Sequence, residues 1–142
     1  SNTIVRYLAA KHGRSDLLPI SAGDRANVEM WMDWQATEFN TAWRYAFQAL
    51  VRKNPAFNDK DQLAASLARW TEHLAIVEGQ LDKTRAFVAG QHFTAADIPI
   101  GLSVNRWFMT PFERPAFPAV MAYYERLSQR PAFMTHGRNG TP

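Results

Sequence analysis

The sequence predicts an all-α protein, a bundle of helices, and three observations carry that expectation. Apolar residues recur three and four apart over long stretches, the spacing of one helix face. Polar capping residues precede these stretches and Gly or Pro follows them. No alternating run with turn chemistry competes, so there is no sheet to propose. With 142 residues, 46% hydrophobic and 13% aromatic, the chain is long and apolar enough to bury a core as about one domain.

The first helix spans about Asn2 to Lys11, with Ile4, Val5 and Leu8 read as one side and His12-Gly13 as its stop. That much apolar surface at a chain start allows two readings: the helix packs back on the bundle, or its main partner lies upstream. "RSDLLPISAGD" is a loop, and Ser21-Ala22-Gly23-Asp24 offers a capping signature. From about Asp24 to Lys53 one long helix is expected, with Val28, Trp31, Met32, Phe39, Trp43, Ala46 and Leu50 as its core stripe. "NPAFND" breaks the pattern and Asn58 can cap the next helix. Its stripe of Leu63, Leu67, Trp70, Leu74, Val77 and Leu81 suits helix–helix packing. A later helix from Pro118 to Gln129 carries Val120, Tyr123, Tyr124 and Leu127. Pro131 interrupts it, and "THGRNGTP" reads as a frayed tail.

The stretch "FTAADIPI", Phe93 to Ile100, carries the sharpest local signal. Thr94 at an N-cap can accept from the N–H three residues on, and Asp97 can reach back to the Thr94 N–H. Phe93 and Ile98 are spaced to pack as a hydrophobic staple across the cap. The residues from Ile98 to Phe108 are apolar nearly all round, apart from Ser103, Asn105 and Arg106, so this helix belongs inside the bundle. Asp97 is a tempting catalytic acid, but its place in the capping box gives it a structural role.

Several function classes are disfavoured. The chain has no Cys, which removes a disulfide framework, a Cys-ligated metal and a Cys nucleophile within it and fits a reducing, cytoplasmic setting. No apolar run approaches the ~20 residues of a membrane span. The net charge of +3 is scattered, with no basic block interleaved with aromatics, so no nucleic-acid partner is expected. His12, His73, His92 and His136 have no i, i+4 partner or nearby acid cluster, so no metal site is expected and they are read as solvated.

Four pieces, in order along the chain, resemble the C-terminal helical domain of glutathione transferases plus the last helix of their thioredoxin-like N-terminal domain. "SNTIVRYLA" resembles the end of that first domain, "LLP" the linker, "FTAADI" the capping box of the buried helix, and "FPAVMAYYERLSQRPAF" the terminal aromatic helix. The resemblance implies a helical bundle of the glutathione transferase C-terminal domain type. Residues 1–12 would be the last helix of an otherwise missing thioredoxin-like domain, 13–20 a linker and 21–142 the all-helical domain.

In that family the thioredoxin-like domain supplies most of the glutathione site, including the thiol-activating residue and a cis-Pro loop. Ser1 is the one residue here that maps onto a glutathione contact, binding the γ-glutamyl carboxylate; the competing reading is a plain N-cap. The helical domain supplies the wall for the electrophile. Trp34, Glu38, Thr41 and Tyr45 share a helix face on α-helical spacing, and "TEFNT" resembles a bacterial segment whose polar pair, here Asn40 and Thr41, faces the cleft. Where that pattern often has a basic residue or His, this chain has neither. Trp34 and Tyr45 read equally as dimer interface or packing, and Trp107 as core or cleft.

The resemblance therefore implies a cytoplasmic, homodimeric detoxification enzyme that conjugates glutathione, as co-substrate rather than resident cofactor, to hydrophobic electrophiles. The isolated chain is expected to be inactive, since no catalytic residue maps onto it. The competing reading is a non-catalytic transferase-like domain acting as a protein-interaction module. A preceding thioredoxin-like domain with a thiol-activating residue separates the two.

Overall fold

A computed structural model describes all 142 residues, Ser1–Pro142. Seven α-helices follow in order: α1 (Asn2–Lys11), α2 (Ala22–Trp34), α3 (Asn40–Leu50), α4 (Lys60–Thr84), α5 (Asp97–Met109), α6 (Pro118–Ser128) and α7 (Pro131–His136). A π-helical turn, Gln35–Phe39, joins α2 directly to α3. The structure has no strand, only a single bridge between Phe87 and Gly90 that closes the turn before α5.

The single long helix expected between Asp24 and Lys53 is thus interrupted. It starts at Ala22, after Ser21, whose side chain makes no capping bond. At the π turn the Asn40 N–H donates to the Gln35 carbonyl, five residues back. A π turn takes in one residue more than an α turn, so positions beyond it are rotated relative to those before it. Val28, Trp31, Met32, Phe39 and Ala46 are buried as their spacing predicts, but so is Phe47, while Trp43 and Leu50 are only partly covered.

Helix α4 is capped by Asp59 rather than Asn58. The Asp59 carboxylate accepts from the N–H groups of Asp61 (2.9 Å) and Gln62 (3.0 Å). Only the residue directly before the first turn reaches those positions, and Asn58 is one residue too early. Trp70, Leu74, Val77 and Leu81 are buried, with Leu63 and Leu67 packed partly covered at the helix start. Trp70 sits in an aromatic cluster, 5.3 Å from Trp107 and 5.6 Å from Phe112 between ring centroids. Glu78, in the last third of α4, accepts from Ala119 N–H (3.0 Å) and Val120 N–H (2.8 Å) and so caps α6 from outside it.

The opening helix packs on the bundle along one side only. Asn2 Nδ2 donates to the Met32 carbonyl at 2.7 Å, Arg6 pairs with Asp33, and Ala9 is buried. Ile4, Tyr7 and Leu8 point outward and are 62%, 58% and 46% exposed. Ile4, Val5 and Leu8 therefore do not form one covered side, because Val5 alone of the three faces the bundle. The linker is built in: Leu18 is buried, and Ala95 N–H donates to the Leu17 carbonyl at 2.9 Å.

The tail is ordered rather than frayed. Pro131 starts α7, where its missing N–H costs nothing. Arg138 pairs with Glu125 at 2.9 Å and stacks on Tyr124, and Asn105 Nδ2 donates to the Thr141 carbonyl at 2.9 Å. Gly101 lets α5 lie close to these elements. A Cβ there would stand 2.7 Å from Leu127 Cδ1.

The start of α5 departs from the expected capping box. The helix begins at Asp97, so Pro99 lies in the first turn, where no intrahelical bond is lost. Asp97 does reach back to Thr94 N–H, at 2.8 Å. The Thr94 hydroxyl, however, donates to the Asp97 carboxylate (3.2 Å), and it is the Thr94 carbonyl that accepts from Asp97 N–H (3.1 Å). The other carboxylate oxygen accepts from Val88 N–H (3.1 Å) and the Tyr123 hydroxyl (3.0 Å).

Asp97→Ala should therefore cost about 3 kcal/mol or more, because it removes the acceptor of two backbone N–H groups and two hydroxyls in a buried place. Thr94→Ala removes one hydroxyl bond and should cost about 1 kcal/mol. Denaturant melts that rank the two variants the other way would remove this account of the α5 start.

Burial pushes the Asp97 carboxyl above its ordinary value of 3.8, outweighing the opposing pull of its donors. The protonated form is also accommodated: the Tyr123 hydroxyl can accept from it and turn its own proton to the Asp97 carbonyl, 3.4 Å away. The native chain then holds this proton more tightly than the unfolded chain. The proton-linked part of the Asp97 contribution is full below 3.8 and is lost as pH rises through the raised native value, while the bonds its donors make to the carboxylate remain. The stability gap between the parent and Asp97→Ala should narrow as pH rises above about 4. A gap that widens there would contradict it.

Candidate functional site

Three helical features converge on one surface groove of about 440 Å³. The π turn and α3 give one wall, with Asn40, Thr41, Arg44 and Gln48. Arg106 comes from the far end of α5, and Arg52 from just beyond α3. Trp43 and Phe47 line the groove between them, and Pro142 lies at its edge.

The π turn sets the orientation of Asn40. Gln35 is buried, and its Nε2 donates both to Asn40 Oδ1 (3.0 Å) and to Ser103 Oγ on α5 (2.9 Å). Ser103 in turn donates to the Pro99 carbonyl at 3.0 Å. A buried amide needs such partners. With its oxygen held, Asn40 keeps the Nδ2 donors without a partner.

The charged side chains that line the groove are all of one sign. Arg106 is half-buried, its guanidinium 5.0 Å from the Trp43 ring centroid and 5.9 Å from that of Phe47. Arg52 lies 5.5 Å from the same Phe47 ring. Burial, and then repulsion from Arg52, pull Arg106 below its ordinary value. Several guanidiniums elsewhere find acceptors: Arg6 pairs with Asp33, Arg25 with Glu29 and Arg126 with the Ala86 carbonyl, while Arg130 is held on the Phe93 ring alone. A chain of polar bonds thus leads from α5 through Gln35 to a rim of free donors.

The residues expected to form one substrate wall are dispersed. Asn40 and Thr41 line the groove. Glu38 is exposed and lines no major cavity. Trp34 packs inward, 5.4 Å from Trp31, 5.2 Å from Phe39 and stacked at 5.8 Å on His73. His73 is correspondingly half-covered rather than solvated; His12, His92 and His136 are exposed. Tyr45 turns to the α3–α4 loop, where its oxygen accepts from Asp59 N–H at 3.0 Å and its ring meets Phe57. Trp107 is buried in the core cluster. The physical reason is the π turn: Trp34 precedes it and Tyr45 follows it, so an α-helical count does not keep them on one face. Ser1 is exposed, and its hydroxyl makes no cap bond.

Arg44, Arg52, Arg106, Trp43 and Phe47 were not singled out for the site from sequence. Trp43 falls in the expected core stripe, and Phe47 lies outside it. Nothing in the spacing shows that Arg106 meets Arg52 across two helices.

A second cavity, about 330 Å³ and mostly apolar, lies between the linker, the α5 start and α7. Phe93 and Ile98 both line it, and Arg130 stacks on Phe93 at 3.7 Å. Next to it a shallow apolar hollow of about 470 Å³ runs under α1, past Val5, Leu8 and Leu17. No group of three or more His, Asp or Glu side chains is placed to hold a metal ion. No helix is long and apolar enough to cross a membrane.

Comparison with known proteins places this arrangement. Residues 39–131 match the family profile described as "Glutathione S-transferase, C-terminal domain". The chain is 33% identical over 132 residues to the glutathione S-transferase GstB of Escherichia coli, covering 93% of this chain but 63% of that protein. A theta-class glutathione S-transferase from Xanthomonas axonopodis pv. citri, solved in apo form and with glutathione bound, superimposes with a TM-score of 0.88 at 36% identity, over 96% of this chain and 71% of that one. A probable elongation factor 1-gamma 2 of Arabidopsis thaliana matches at 28% identity over 94% of this chain and 32% of its own. The profile match covers most of the all-helical region, and the chain belongs to the glutathione S-transferase family, as a C-terminal helical domain of that family.

Proposed function

We propose that this chain is the electrophile-binding part of a glutathione transferase, and that the groove beside Asn40 and Thr41 receives the acceptor. In the reaction the thiolate of glutathione attacks an electrophilic carbon, a C–S bond forms, and the leaving group departs as an anion. The observation that carries the reading is the groove itself: a cavity of about 440 Å³ on α3 and α5, with free donors at the rim and Trp43 and Phe47 as apolar lining. Such a lining shelters the body of an aryl electrophile with little directional bonding, which favours breadth over selectivity.

Thiol activation belongs, on this reading, to a thioredoxin-like domain packed on the outward side of α1. The exposed Ile4, Tyr7 and Leu8 and the apolar hollow beside them support that placement. Ser1, at the start of α1, is then the contact this chain offers to the γ-glutamyl carboxylate, where a helix N-terminus favours negative charge. The protein would act as a homodimer. Exposed Met30 on α2 and Ile76 on α4 are apolar surface available for the contact.

Ser1 supplies one hydroxyl and one N–H, too little to offset the entropy of fixing a flexible tripeptide. The 142-residue chain should therefore neither conjugate glutathione nor bind it with a dissociation constant below about 1 mM. A longer chain in which a thioredoxin-like domain precedes Ser1 should do both. Calorimetric titration of the 142-residue chain with glutathione, beside a conjugation assay of both chains, is the check. Saturable sub-millimolar binding by the short chain would overturn the division of labour, and an inactive longer chain would overturn the transferase reading.

A further inference from the structure

The groove at α3 and α5 holds three guanidiniums, and none of them has an acceptor. Arg44, Arg52 and Arg106 make no ion pair and no side-chain hydrogen bond, and no acidic side chain lines the groove. The chain does not lack carboxylates: Arg6, Arg14, Arg25, Arg85 and Arg138 all pair with Asp or Glu. Arg114, part-buried like Arg106, donates instead to the carbonyls of Phe108 and Thr110.

Placing like charges together has a cost that the native contacts do not relieve. Arg106 is half-buried, and Arg52 is close enough to disfavour its charge. Guanidinium stays protonated regardless. What holds Arg106 is the faces of Trp43 and Phe47, a cation–π arrangement that leaves its N–H edge free. Arg52 is held on Phe47 in the same way. Asn40 adds unpaired Nδ2 donors, because Gln35 occupies its oxygen. Fixed, planar and donor-rich, this edge matches a carboxylate or sulfonate.

We propose that the groove recognises an anionic group on the electrophilic co-substrate, a carboxylate or sulfonate attached to its aryl body. Arg106 and Arg52 take the anion, and Arg44 at the rim draws it in. This rests on the proposed function for the identity of the ligand as electrophile, but anion recognition is measured without glutathione. The acceptor is thus not merely apolar: an aryl acid is preferred over its neutral counterpart.

The test uses 4-chloro-3-nitrobenzoate against neutral 4-chloro-3-nitroanisole, titrated calorimetrically into the 142-residue chain at low and high salt. The benzoate should bind at least about tenfold more tightly, the ratio one charge-assisted contact supplies. High salt should reduce that ratio. Arg106→Met and Arg52→Met should each bring it close to one, with circular dichroism confirming the helical fold. Exposed Arg44→Met, a safer substitution for folding, should reduce it part of the way, and Arg52→Lys should retain more of it than Arg52→Met. Equal binding of the two ligands, or a preference that Arg52→Met and Arg44→Met both leave undiminished, would overturn the proposal. Failure of the longer chain to conjugate glutathione would overturn only the transferase reading.

Discussion

One buried carboxylate fixes the position of the central helix. Asp97 gathers Val88 from the loop after α4, Thr94 from the turn before α5 and Tyr123 from α6. Arg126 on the Ala86 carbonyl and the rings of Phe87, Phe93 and Tyr123 also join these segments, but Asp97 is the acceptor on which all three meet. The loop is further tied by Gln80 to the Val88 carbonyl and Asn27 to the Ala89 carbonyl. A carboxylate with donors from three directions tolerates few alternative placements, whereas apolar packing alone accepts several. The interaction is therefore as much a specification of geometry as a source of stability.

From α5 the constraint passes to the groove. Ser103 stands on α5, six residues after Asp97, and holds Gln35, which holds Asn40. Arg106 stands one turn further along the same helix. Both walls of the groove are thus referenced to one helix, and that helix is referenced to Asp97. The groove's geometry depends on a residue that lines a different cavity and touches nothing in the groove. Reading Asp97 as structural rather than catalytic fits this position, since its four donors leave it no free lone pair facing a ligand.

Elements set by local rules were legible in the sequence. The stripe Trp70, Leu74, Val77 and Leu81, the buried character of the helix after Asp97, and the α6 stripe Val120, Tyr123, Tyr124 and Leu127 follow from spacing and lie in the core. The expected shared face of Trp34 and Tyr45 fails for one reason. A π turn at Gln35–Phe39 has no strong local signature, and its effect is to rotate everything beyond it. Trp34 and Tyr45 were placed on one face by counting through a turn that does not follow the α count. Long-range caps were also beyond reach: Glu78 caps α6 from another helix, and no spacing rule connects residues 78 and 119. The tail read as frayed because its composition is that of a loop, while its order comes from Asn105, Arg138 and Tyr124.

The π turn is also what makes the groove possible. Gln35 and Asn40, five apart, join side chain to side chain across the widened turn, with one end buried and the other at the rim. On an unbroken α-helix, residues five apart are rotated well away from each other, and neighbours on one face stand three or four apart. The same insertion carries Phe47 inward and leaves Trp43 partly exposed beside Arg106. Those two rings give the guanidiniums of Arg106 and Arg52 a surface to lie on without neutralising them. A carboxylate in their place would have given more stability and no site. Local rules are broken here twice, by an irregular helix and by unpaired like charge, and both breaks fall in one groove. Such coincidence is expected where selection acts on what a surface binds rather than on how well it folds.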